Sequence, residues 1–195
     1  MSLPTVSNQN SGELVVAANG AVSVAPFGTA LPSDEITVLA PEFQSVGYTS
    51  ETGVTFTNTP TVADVLAWQV MTPIRKLVTA RAMTAACVLQ QFNQDTFALA
   101  FGGGTWTMVS PGSYRYDPPN DGAALPDYSV VIDAIDGVKN LRWVIKRCNV
   151  TDAVTTNLLR TAAATLPVTF TALTPDGQLT PWYFLSNASE FSLAS

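Results

Sequence analysis

Only one stretch of this chain, Phe92 to Gly102, carries the punctuation of a helix, and the rest is a succession of short β-prone runs between turn residues. That imbalance decides the fold class. Asn93 is an N-cap, because its side-chain oxygen can accept from an unpaired first-turn amide, and Asp95 puts negative charge where the helix dipole favours it. Phe92 and Phe97 stand at the staple positions on either side of the cap, and Gly102 supplies a left-handed stop. Phe97, Ala98 and Phe101 fall on one face, so the helix is expected to lie on something apolar. Isolated helices shorter than roughly 12–15 residues are marginal in water, so the flanking strands must hold this one. The glycines that follow, Gly102-Gly103-Gly104, end a helix rather than open one, and no Lys-Ser/Thr comes after them, so they form no phosphate cradle.

Along the chain, Met1 to Gly12 reads as a polar arm. Glu13 to Ala18 and Gly20 to Ala25 are β-prone runs around Asn19-Gly20, which predicts a small hairpin. Residues 26–42 hold Pro26, Pro32 and Pro41, break both periodicities and form a long loop. Phe43 to Thr49 and Gly53 to Thr57 are extended runs around a turn at Ser50 to Gly53. Thr61 to Trp68 reads as a short approach to a strand, and Pro73 places Met71 to Ile74 at an edge or a bulge. Lys76 to Gln91 is the longest β candidate, with apolar residues on both parities, so both of its faces are expected to be at least half buried.

After the helix, Thr105 to Val109 is a strand. Residues 111–126 form a second long loop, within which Tyr114 and Tyr116 suit a short edge strand. Tyr128 to Asp136 alternates, with Tyr128, Val130, Ile132 and Ala134 inward and Ser129 and Asp133 outward. Asp136-Gly137 then turns it back into Leu141 to Val150, whose Arg142 and Lys146 are expected to partner Asp133 and Asp136 across the strands. Thr151 to Ala164 is loop, Leu166 to Leu173 a half-buried strand, and Pro181 to Ser186 the last strand.

Many short strands, one short helix and two long loops make a mainly β fold, a β-sandwich or incomplete barrel with the helix on its flank. The expected organisation is an arm over 1–12, a single β domain over 13–186 with long loops 26–42 and 111–126, and a tail over 187–195.

Composition narrows the function. The 195 residues include no histidine, which removes the Ser-His-Asp and Cys-His arrangements and most zinc sites. The acidic residues scatter through turns and caps. No catalytic pair is placed on one face of a cleft, and the approach to calcium-loop spacing at Asp117 to Asp127 lacks alternating ligands. No enzyme activity, cofactor or metal is therefore expected. Charged residues are only 12% and the formal net charge is −6, which argues against nucleic-acid binding and leaves a neutral surface suited to being covered by copies of itself. No secretory or membrane-spanning pattern is read, and Cys87 and Cys148 sit in apolar runs as expected for buried free thiols.

Two segments, Gly20 to Pro32 and Gly47 to Val54, followed in order by Trp68 after Asp64, the strand to Gln90, the Asn93 to Gly102 helix, Leu141 to Arg147, Leu166 to Leu173 and Tyr183 to Leu185, resemble the major tail tube proteins of long-tailed, non-contractile bacteriophages. One departure is the segment after the tryptophan: similar proteins carry glycine and acidic residues there, and this chain has Pro73, Arg75 and Lys76.

The resemblance implies a tail-tube-like fold and a structural virion protein rather than an enzyme. It implies six-membered rings that stack around a tape-measure protein into a tube through which DNA passes. A tail terminator and distal tail or baseplate proteins are further implied partners, with no membrane and no small-molecule substrate, and the host cytoplasm as the place of assembly. Inter-subunit contacts are then expected from Pro26, Phe27, Leu31, Pro32, Asp34 and Glu35 in the first loop, from Pro111, Tyr114, Tyr116, Asp117 and Asp121 in the second, and from the arm. Asn93, Phe97 and Phe101 form the packing helix. The competing readings are another phage assembly part, such as a tail terminator or decoration protein, and a lectin-like module using Trp106, Tyr114 and Tyr116 as a sugar platform.

Overall fold

In a computed structural model of the chain, which describes residues 10–192 apart from 121, 123 and 153, the alternating run after Pro126 lies at the middle of the sheet. Its strand β7 (Tyr128–Asp136) folds back on β8 (Lys139–Val150) through the Asp136-Gly137 turn, as expected. β1 (Asn19–Pro26) pairs with the other edge of β7 along its whole length, and the two-residue β2 (Gln44–Ser45) covers part of β1. The free edge of β8 is shared. β10 (Trp182–Ser186) takes Leu141–Ile145, and β9 (Leu166–Ala172) takes Cys148–Val150 and leads to β4 (Val70–Leu89) and β3 (Thr49–Ala67). The order is β2-β1-β7-β8-β9-β4-β3 in one eight-stranded sheet, with β10 branching from β8.

The sheet rolls toward closure. Val46 N donates to Val22 O of β1, and Gln90 N, just past β4, donates to Tyr48 O, so residues 46–49 tie the two ends of the sheet together. Elsewhere β1 and β3 stay apart, and the fold is mainly β, an incomplete barrel with one helix on its flank, as the sequence predicts. The inner face packs Val22, Val130, Ile132, Ile145, Cys148, Leu166, Val168, Phe170 and Leu89 into one cluster. Cys87 and Cys148 are both buried free thiols.

The helix α1 (Gln94–Ala100) packs on the core beside β9. Asn93 caps it by accepting from Thr96 N at 2.8 Å, and Thr96 returns the favour by accepting from Asn93 N. The helix buries two faces rather than the one expected. Thr96, Leu99 and Ala100 face the core, while Phe97 and Phe101 pack on the separate hairpin of β5 (Thr105–Ser110) and β6 (Ser113–Asp117), through Trp106 and Tyr116. The triple glycine lets the chain pass beneath that hairpin: Gly104 has φ +105°, and a Cβ there would lie 2.6 Å from the Tyr116 ring.

Several sequence expectations are corrected. Residues 14–18 form no strand, and Asn19-Gly20 starts β1 instead of turning a hairpin, because β7 offers a full ladder to which Gly20 can draw close. A Cβ on Gly20 would sit 2.9 Å from Asp133 O. Ser50 to Gly53 is no turn either: β3 runs through it as a bulge in which residues 50–53 face the single residue Val88. Residues 113–117 of the second loop are β6, within the predicted loop and at the place suggested for an edge strand. Ser129 is on the outer face as expected but is buried, its hydroxyl donating to Lys146 O. Lys146 reaches Thr180 rather than a carboxylate, whereas Arg142 does pair with Asp133.

The largest correction concerns the segment from Thr61 to Gln91. The approach at Thr61 and the strand from Lys76 are two arms of one long hairpin, β3 and β4, turning at Trp68-Gln69. Only Met83 to Leu89 alternates between buried and half-buried; from 57 to 82 every residue except Ala67 is exposed. Over this outer part, the apolar residues on both parities that suggested burial have no layer over them among the described residues. Pro73 sits where expected, in the register irregularity between the pairs Val65–Arg75 and Ala67–Val70.

Candidate assembly interface

The outer part of this hairpin reaches roughly 35 Å beyond the sheet at about 3.3 Å per residue. It carries Val62, Val65, Leu66, Val70, Ile74, Leu77 and Val78 exposed, and at its tip Trp68 and Met71 are 100% and 103% exposed. Isolated two-stranded ribbons are marginal in water, and apolar patches of this extent on a soluble surface mark binding sites. Register fixes the two faces. Ala63 pairs with Leu77 and Val65 with Arg75 on one face, and Val62 pairs with Val78 and Asp64 with Lys76 on the other.

Charge is concentrated there as well. Residues 58–82 hold three of the nine basic side chains, Arg75, Lys76 and Arg81, and one of the fifteen acidic ones, Asp64. Lys76 meets Asp64 at 3.3 Å with both side chains exposed, a pair worth at most about 1 kcal/mol. Arg75 and Arg81 make no ion pair among the described residues.

Two recesses border β1. A cleft of about 780 Å³ opens where the barrel fails to close, between Asn19–Val22 of β1 and Thr49–Val54 of β3, with Phe56 and Trp143 at its floor. Both bordering strands present backbone that no strand of this chain pairs there. A smaller groove of about 250 Å³ runs between β1, β2 and α1, apolar at Val24, Val46 and Leu99 and bearing Glu42 and Asp95.

The first predicted contact loop is anchored against the outer face of the sheet. Arg142, 6% exposed, holds Asp133 with two hydrogen bonds and donates its remaining amine to Asp34 O and Thr37 O at 3.0 and 2.9 Å. Tyr183 donates to Pro32 O, and Pro32 is buried. The Asp34 carboxylate accepts from the Thr37 hydroxyl and from the Thr37 and Ile36 amides, which hold it below the usual carboxylate range. Pro26 ends β1, Phe27 lies over the Arg147 guanidinium at 5.2 Å, and Leu31 and Glu35 are half-buried. The large apolar side chains that this loop presents outward are Phe27, Ile36 and Val38.

The second set lies on the β5–β6 hairpin. Pro111 is in its turn, Tyr114 is exposed, Asp117 pairs with Arg115, and Tyr116 is half-buried with its hydroxyl on Gly103 O. Asp121 lies outside the described residues. Trp106 and Tyr116 are packed against Phe97, so they form no exposed sugar platform with Tyr114.

At the other end of the sheet, Lys139 joins the two chain ends, donating to Gly12 O and to the Glu190 carboxylate, whose pKa it lowers. Most of the expected arm, residues 1–9, lies outside the described residues.

The structure therefore holds each predicted loop to the body, with Phe27 N of the first donating to Asp127 O just past the second, and leaves the outer β3–β4 hairpin uncovered among the described residues. Sequence reasoning missed that hairpin. The available signal was the pair of β-prone runs flanking Trp68-Gln69, with apolar residues on both parities and no competing turn.

No helix among the described residues is long and apolar enough to cross a membrane. No curated protein matches the chain. The family model described as phage tail tube protein matches residues 7–194, nearly the whole sequence. The chain belongs to the phage tail tube proteins, with the structural role in a virion tail that this family carries.

Proposed function

We propose that the chain polymerises head to tail, six copies closing a ring and rings stacking into a hollow tube through which DNA leaves the virion. The outer β3–β4 hairpin carries this reading, because it has apolar side chains on both faces and at its tip with no layer over them among the described residues. A projecting ribbon on one side of a subunit and recesses elsewhere make a heterologous contact, which yields a ring where the rotation closes and a filament where it does not. The open strand edges beside the larger cleft suit strand addition between copies.

In this reading residues 13–186 act as one domain. Ile36 and Val38 of the first loop, Tyr114 of the second and the two terminal segments add contacts around the hairpin. Assembly takes place in the host cytoplasm on a tape-measure protein, between tail-tip and terminator proteins, and the subunit performs no catalysis. The negative net charge suits a conduit, since it withholds the counterion-releasing phosphate contacts that would stall DNA in transit.

Sedimentation velocity on the purified chain tests the proposal. The expected result is a shift from monomer to very large species as concentration rises. A chain that stays monomeric, even when tape-measure and tail-tip proteins are supplied, would overturn it.

A further inference from the structure

We infer that the face of the outer hairpin bearing Ala63, Val65, Arg75 and Leu77 docks in the groove between β2 and α1 of a neighbouring copy, with Arg75 meeting Glu42 and Asp95 on its rim. The inference rests on the reading of the chain as a self-polymerising subunit and names the receiving surface. Charge complementarity chooses the occupant. The groove is apolar at Val24, Val46, Ala98 and Leu99 and bears two exposed carboxylates, neither in an ion pair among the described residues. The hairpin face offers the converse, the apolar Ala63, Val65 and Leu77 beside an exposed guanidinium that also makes no such pair.

Size and surroundings point the same way. Small-molecule pockets run from roughly 300 to 1,000 Å³, so the groove, at about 250 Å³, suits one or two side chains better than a ligand. The larger cleft is a poorer socket for a cation. Of its two acidic residues, Asp133 is already held by Arg142, which leaves Glu51. Knob and socket lie on different elements of one chain, so the contact can run head to tail, as a ring or filament requires.

Charge reversal in the full-length chain tests the docking. Arg75→Glu alone, and Glu42→Arg with Asp95→Arg, should each raise the critical concentration for polymerisation about tenfold or more, and the triple variant should return it to within about threefold of the parent. All three positions are exposed, and the first-turn charge that Asp95→Arg gives up at α1 is a minor part of the stability, so circular dichroism should show each monomer still folded. Independently, Ala63→Cys combined with Gln44→Cys should give a reducible ladder of covalent oligomers on mild oxidation, since the native Cys87 and Cys148 are buried. A parent chain that polymerises while Arg75→Glu behaves identically, a triple variant no better than its components, or no ladder would overturn the docking alone. A parent chain that never polymerises would overturn the tube reading as well.

Discussion

At the scale of single residues, Arg142 shows how a β protein holds a long loop in place. Its guanidinium is almost fully buried, and its donors go to the Asp133 carboxylate and to two carbonyls of residues 34–37. Arg142→Ala strands a partly buried carboxylate and two carbonyls at once. It should therefore lower stability by about 3 kcal/mol in urea denaturation and expose residues 33–40 to proteolysis. An unchanged midpoint would mean that the loop is held by something else. The two thiols give a pH signature. Burial pushes Cys87 up to about 11 and Cys148 up to about 12 from an ordinary 9.0. Because the folded state holds these protons more tightly, their contribution is complete below about pH 9 and is lost as pH rises through 11 to 12. Stability measured from pH 8 upward should fall over that window, and Cys148→Ala should flatten the fall. An equally steep decline in that variant would assign it to other groups.

At the scale of elements, the hairpin separates folding from assembly. None of residues 57–82 is buried, so replacing Thr59 to Ala82 with Asn-Gly should leave the unfolding midpoint of the monomer within about 1 kcal/mol of the parent while abolishing polymerisation. A variant that unfolds far more easily would make the hairpin part of the fold instead. The elements also show what the sequence made legible. The α1 caps, the β7–β8 turn and the strands β7 and β9 follow from local chemistry, Asn93 with Gly102, Asp136-Gly137, and alternation over Tyr128 to Asp136 and Leu166 to Ala172. The misreadings arise where partners are distant. Asn19-Gly20 has the dipeptide of a hairpin, yet β7, over 100 residues away in sequence, provides a better ladder. Leu77 and Val78 read as at least half buried because apolar alternation does not say whose chain will bury it. The loop 26–42 was legible as a loop, but its anchoring needed Arg142 and Tyr183 from the far half of the chain.

At the scale of the whole molecule, a mainly β body with a long uncovered hairpin, open strand edges and few charges is a subunit whose surface is completed by its neighbours. Membership of the tail tube family gives that arrangement its setting. The local features divide the labour: Arg142 and Lys139 fasten loop and termini to the sheet, while the outer hairpin stands exposed. The most direct measurement is negative-stain electron microscopy of the purified chain at rising concentration. The account predicts long hollow tubes built from stacked six-fold rings. Monomers at every concentration, even with tape-measure and tail-tip proteins supplied, or closed rings that never stack, would contradict it.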